Sequence, residues 1–102
     1  MASDREYLNF ILEQLSELDG VSYRTMMGEF VLYYRGKVFG GIYDDRFLVK
    51  DLPSSAALMP MASRELPYEN GRPMLMVDDI DDKSFLARLV TAMYDELPEK
   101  KK

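Results

Sequence analysis

The chain has 102 residues and a formal net charge of −5, from 13 basic and 18 acidic side chains. That length suits one domain rather than two, and with 47% apolar residues the chain can bury a core instead of staying disordered. It contains no cysteine and no histidine, which excludes disulfides, thiolate metal sites, cysteine nucleophiles, zinc chemistry and Ser-His-Asp hydrolysis.

The first element predicted is a helix from about Asp4 to Leu18. Ser3-Asp4-Arg5-Glu6 reads as a capping box, and Tyr7, Leu8, Ile11, Leu12, Leu15 and Leu18 come after it at helical spacing, with Gly20 suited to the left-handed stop. Val21 to Thr25 leads, extended, into a three-stranded meander, and Met26-Met27-Gly28 supplies a bend or bulge.

The meander consists of three runs rich in aromatic and branched residues, about Glu29–Tyr34, Lys37–Tyr43 and Arg46–Lys50. Arg35-Gly36 and Asp44-Asp45 separate them, and two-residue links of this kind make tight antiparallel hairpins. Counting outward from the first turn pairs Tyr33 with Val38, Leu32 with Phe39 and Val31 with Gly40. The second pairs Tyr43 with Arg46, Ile42 with Phe47 and Gly41 with Leu48. Alternation then puts Val31, Tyr33, Val38, Gly40, Ile42, Phe47 and Val49 on a core face. Phe30, Leu32, Tyr34, Phe39, Gly41, Tyr43 and Leu48 share the other face with Lys37, Arg46 and Lys50. That second face is too apolar to be simply wet, so it is the expected docking surface.

Asp51-Leu52-Pro53-Ser54-Ser55 opens a short second helix limited by Pro60. A short edge strand is expected within Glu65–Tyr68, a turn at Glu69-Asn70-Gly71, and a strand over Met74–Val77. The last helix opens at Asp81 or Asp82 and ends before Pro98, with Phe85, Leu86, Leu89, Val90, Met93, Tyr94 and Leu97 as its stripe. Together these give an α+β domain over residues 1–98. It has two layers, an antiparallel sheet of about five strands with helices on one face, in the order α-β-β-β-α-β-β-α. Residues 99–102 are expected to form a basic, disordered tail.

Charge is uneven. The segment 24–50 carries five basic and three acidic residues and is the only positive part of the folded region, while 51–99 carries four basic and ten acidic. Lysine and arginine on strand edges often serve only to block aggregation. The acidic whole disfavours direct nucleic-acid binding. No apolar run approaches the roughly 20 residues that cross a bilayer, and no secretory leader is visible, so a cytoplasmic location is expected.

Several residues invite a functional reading beside a structural one. Arg24, Met27 and Gly28 could form a weak ligand site, the arginine fork holding an acidic group, or simply fix a bend. Asp78-Asp79-Ile80-Asp81-Asp82 lacks the glycine and later glutamate of a calcium loop and reads as a dipole-favoured helix start. Gly40-Gly41 lies mid-strand with no helix after it, so it is not a phosphate loop. The eight methionines fill core gaps or make an adaptable surface.

The ordered series Arg24-Thr-Met-Met-Gly28, Leu32-Tyr33-Tyr34-Arg35-Gly36-Lys37-Val38-Phe39-Gly40 and Asp44-Asp45-Arg46-Phe47-Leu48-Val49-Lys50 resembles the N-terminal domain of the TfoX/Sxy competence regulators. The likeness extends from about Val21 to Val77, with Glu29 standing where the family has a second glycine. It is to the stand-alone version of that domain. The resemblance implies an α+β fold similar to secretion-chaperone-like domains that often pair as dimers. It also implies a link to regulating DNA-uptake genes, without a defined catalytic activity.

The expected function is thus a non-enzymatic interaction and regulatory domain: a homodimer, with a possible protein partner in transcriptional regulation. Docking would use Phe30, Leu32, Tyr34, Lys37, Phe39, Arg46, Leu48 and Lys50. No cofactor, metal or catalytic residue is expected, and no membrane or nucleic acid is an expected partner. The alternative is a small-ligand-binding domain, or an enzyme of unknown substrate working through Asp, Glu, Lys, Arg or Tyr.

Overall fold

In the computed structural model, which describes residues 4–69 and 71–98, the chain runs α1 (Arg5–Gln14), β1 (Val21–Met26), β2 (Glu29–Tyr34), β3 (Lys37–Tyr43) and β4 (Arg46–Val49). It continues through α2 (Pro53–Leu58), β5 (Arg64–Glu65), β6 (Met74–Met76) and α3 (Lys83–Tyr94). The sheet is antiparallel, in the order β1-β2-β3-β4-β6-β5. The α+β class and the order of elements agree with the sequence reading, with one strand more. Val21–Met26, expected only as an extended lead, pairs with β2 along its whole length. The bend expected after it is a tight turn, with Met27 and Gly28 both at positive φ (54° and 83°).

The helices are set by their first turns. The Asp4 carboxylate accepts from the Glu6 N–H at 2.9 Å, and the Asp82 carboxylate accepts from the Phe85 N–H at 3.1 Å, so each caps a helix start. The capping role expected of Ser3 lies outside the described residues. Regular α1 stops at Gln14 rather than Leu18, and the remaining residues to Gly20 form turns in which Leu15 is still buried. At the start of α2, the buried Ser55 hydroxyl accepts from the Leu52 N–H and donates to the Lys50 carbonyl at 2.7 Å. The basic tail expected over 99–102, and Asn70 of the expected turn, also lie outside the described residues.

The two hairpin turns form as expected, with Arg35, Gly36, Asp44 and Asp45 all at positive φ. Their consequences for the faces differ from expectation, and the cause is one residue. Tyr33 pairs with Val38 as predicted, but Leu32 then pairs with Gly40 and Val31 with Gly41. Phe39 is therefore an extra residue, a β-bulge. The bulge shifts the alternation of β3 between its two halves. Phe39 and Ile42 both point to the helices, as do Phe47 and Val49 of β4 and Phe30, Leu32 and Tyr34 of β2.

The predicted outer face is corrected accordingly. Phe30, Leu32, Tyr34 and Phe39 are 0–6% exposed and belong to the core, with Leu8, Ile11 and Leu15 of the N-terminal segment and Leu86, Leu89, Val90 and Met93 of α3. Val31, Tyr33 and Val38, expected in the core, belong to the outer face. Ile42, Phe47 and Val49 are core residues as predicted.

Candidate functional site

Cross-strand pairing defines a row across the outer face, Arg24, Val31, Gly41, Leu48 and Met76, each paired with the next. Tyr43 lies two residues beyond Gly41 on the same strand, and its ring folds back over that glycine. A Cβ at Gly41 would sit 2.5 Å from the Phe30 carbonyl oxygen and 2.7 Å from the Tyr43 ring, so only glycine leaves the ring room to lie flat.

The described residues of the β5–β6 connection, 66–69 and 71–73, lie over this face, tied down by Arg46. Its guanidinium donates to the Tyr43 carbonyl at 3.1 Å, the Glu65 carboxylate at 3.2 Å and the Leu66 carbonyl at 2.9 Å. Tyr68 then meets Tyr43 edge to face, with ring centroids 6.1 Å apart, and Pro67 is buried. Between this connection and the sheet lies a groove of about 640 Å³. Its lining includes the buried or half-buried Val31, Val38, Tyr43 and Met74, which form its floor, the half-buried Lys50, and the exposed Asp51, Tyr68 and Arg72 at its rim.

Two groups in the groove are perturbed. Burial is the largest cause raising the Tyr43 hydroxyl above its ordinary pKa, with the Tyr68, Glu29 and Tyr33 side chains adding to it. Burial alone lowers the Lys50 ammonium. Lys50 makes no ion pair among the described residues, whereas the neighbouring Asp51 carboxylate is taken by Arg64 Nε at 2.7 Å.

A second feature lies at the end of the sheet, where β1 is paired on one side alone among the described residues. The Arg35 N–H donates to the Gly20 carbonyl, and alternation from that pair turns the backbone groups of Ser22, Arg24 and Met26 toward β2. Those of Val21, Tyr23 and Thr25 therefore point to the open edge. On the helix side of the same edge is a recess of about 500 Å³, lined by Leu12, Leu15, Leu18, Val21 and Tyr23 among others. The Tyr23 ring is held there by Arg5, which donates to its hydroxyl at 2.7 Å, and by Phe30, whose ring is nearly perpendicular to it.

The predicted docking residues are thus scattered. Four lie in the core. Leu48 is on the outer face but fully buried. Lys37 faces the helices, its ammonium 4.2 Å from the Tyr94 ring centre and donating to the Tyr94 carbonyl at the end of α3, where a cation complements the helix dipole. Arg46 is the anchor of the covering connection, and Lys50 alone reaches a cavity. Of the weaker set, Arg24 is exposed on the outer face, Met27 is 96% exposed at the β1–β2 turn, and Gly28 completes that turn. Sequence reasoning missed Tyr68, Arg72 and Met74, because nothing local signals that 66–69 and 71–73 lie back over the sheet. The cluster Asp78–Asp82 acts as a helix start, and among the described residues no group of acidic side chains converges as a metal site. No helix among the described residues is long and apolar enough to cross a membrane.

The chain is 27% identical over 84 residues to an uncharacterized 12.7 kDa protein encoded in the trpE 5′ region of Spirochaeta aurantia, a match covering 82% of this chain and 73% of that protein. No solved structure matches. The profile of the TfoX N-terminal domain matches residues 13–97. That span contains every strand of the sheet and both later helices, and the chain therefore belongs to the TfoX N-terminal domain family.

Proposed function

We propose that this protein is a non-enzymatic interaction domain that pairs with a second copy of itself through β1, and that any regulatory role is exerted through protein contacts. The observation that carries the reading is the open β1 edge. Six residues long, it contains no proline and only one charged side chain, Arg24, so it lacks the usual devices that blunt an edge.

The register of such a pair comes from parity. Two β1 strands related by a two-fold axis normal to the sheet must place paired residues on the same face. Centring on Arg24 would oppose two guanidinium groups. Centring on Tyr23 pairs Tyr23 with its copy, Val21 with Thr25 and Ser22 with Arg24. It also matches the outward backbone groups of Val21, Tyr23 and Thr25 to one another. The apolar recesses beside the two edges then adjoin and shield each other's Leu12 and Leu18. The acidic net charge and the family's lack of a defined catalytic activity support contact with protein rather than with nucleic acid or substrate.

Thr25→Pro is the informative variant. It removes an outward N–H and leaves the β1–β2 ladder intact, since proline is tolerated on the open side of an edge strand. Sedimentation at micromolar concentration is expected to give a dimer for the wild type and a monomer for Thr25→Pro, with unchanged far-UV circular dichroism. A wild type that sediments as a monomer throughout that range overturns the reading.

A further inference from the structure

The groove lined by Pro67, Tyr68, Gly71, Arg72 and Pro73 on its outer side is a site independent of self-association. Its volume, about 640 Å³, lies in the range of about 300–1,000 Å³ typical of small-molecule sites. Its floor is apolar: Val31, Val38, Tyr43 and Met74. Its charge is one-sided. Of the charged side chains that line it, Asp51 is already neutralised by Arg64 at 2.7 Å, while Lys50 and Arg72 form no ion pair among the described residues. A half-buried ammonium gives up hydration and is ordinarily compensated by a carboxylate. Lys50 sits at the end of β4 with its backbone N–H tied to the Phe39 carbonyl beside the bulge, so the base of its side chain is held in place over the apolar floor.

We propose that this groove binds a small organic carboxylate with an apolar body, its head on the Lys50 ammonium and its body against Val31, Val38, Tyr43 and Met74. A single ammonium above an apolar floor matches one negative charge joined to a hydrocarbon or aromatic group. A phosphate dianion would call for several converging donors, such as an arginine fork or a run of backbone N–H groups. Arg72, exposed on the rim, adds long-range attraction that offsets the negative charge of the chain as a whole.

The test uses the full chain, labelled with ¹⁵N, titrated with 4-phenylbutyrate, octanoate, 1-octanol and inorganic phosphate. Saturable shifts are expected for the two carboxylates at about 1 mM or tighter, centred on Val31, Val38, Tyr43 and Lys50, with 1-octanol and phosphate each at least about tenfold weaker. Lys50→Met, which keeps the aliphatic stem, is expected to weaken both carboxylates by about tenfold or more while leaving 1-octanol unchanged. Lys50→Gln is the second variant should the first not fold. Equal affinity for octanoate and 1-octanol overturns the proposal, as do shifts centred elsewhere, undiminished carboxylate binding by either variant, or no saturable shift at all. A monomeric wild type would leave this inference standing, and a dimer that binds neither carboxylate would leave the self-association standing.

Discussion

A side chain at Gly40 has nowhere to go. Its Cβ would overlap the Leu48 carbonyl oxygen and lie 2.9 Å from the Val49 Cα, and both obstacles are backbone of the neighbouring strand. Gly40 follows the bulged Phe39 and pairs with Val49, at a point where β3 lies too tight against β4 for any Cβ. Gly40→Ala is expected to cost about 2–4 kcal/mol, read as a lower urea midpoint at unchanged slope, because relieving the overlap means either parting β3 from β4 or losing the bulge. Lys50 is the opposite case, a residue that costs stability. Its folded pKa is lowered by burial, so the folded state releases its proton before the unfolded state does. Below that window the desolvation penalty is fully present, and stability from this group rises as pH passes up through the folded value toward the ordinary lysine value. Since the ammonium is also partly solvated, solvent screening keeps the penalty at neutral pH small. Lys50→Met is therefore expected to hold Tm or raise it by a few degrees in a thermal scan near pH 7. A drop in Tm would show that the ammonium is compensated in the folded protein.

At the scale of elements, what can be read from the sequence divides at Phe39. The hairpins are legible because Arg35-Gly36 and Asp44-Asp45 are local signals, and the helices because their stripes and caps repeat every three or four residues. The bulge has no comparable signal. Gly40-Gly41 hints at a close approach, but neither glycine says that the preceding phenylalanine is the unpaired residue. One uncounted residue inverts the assignment of β2 and of Lys37, Val38 and Phe39 in β3, leaves the rest of β3 and β4 correct, and moves Phe30, Leu32, Tyr34 and Phe39 from a supposed docking face into the core. The candidate groove is less legible still. Lys50 and Arg46 stand out in the sequence for their charge, yet Arg46 acts on the covering connection through the Glu65 carboxylate and the Leu66 carbonyl. Arg46→Ala is expected to remove both tethers and loosen residues 66–73 without opening the core beneath. Hydrogen exchange should speed up in that segment by about tenfold or more while α3 and the centre of β3 keep their protection, with a global loss of about 1–2 kcal/mol. Uniform acceleration across the sheet would instead make Arg46 a general support of the fold.

For the molecule as a whole, the two ends of the sheet are unequal. One end is β5, two residues long, with Arg64 held by Asp51. The other is β1, three times as long, with a row of outward backbone groups and an apolar recess beside it. The Cα radius of gyration is 12.4 Å, close to the roughly 13 Å of one closed domain of about 100 residues, and the core is contained within a single copy. Self-association should then add to the stability of a domain already complete, unlike an obligate dimer whose subunits share a core. Two consequences separate these cases. Because association removes folded monomer from the unfolding equilibrium, the Tm of the wild type should climb by a few degrees as protein concentration is raised about a hundredfold. Thr25→Pro should unfold at one concentration-independent temperature, near that of the wild type at its most dilute, since the ladder between β1 and β2 does not use the Thr25 N–H. If Thr25→Pro instead loses far-UV signal at every concentration, the second copy completes the fold and the β1 edge is part of its core. If the wild-type Tm ignores concentration, the edge is left to water and the pairing proposed for it does not occur.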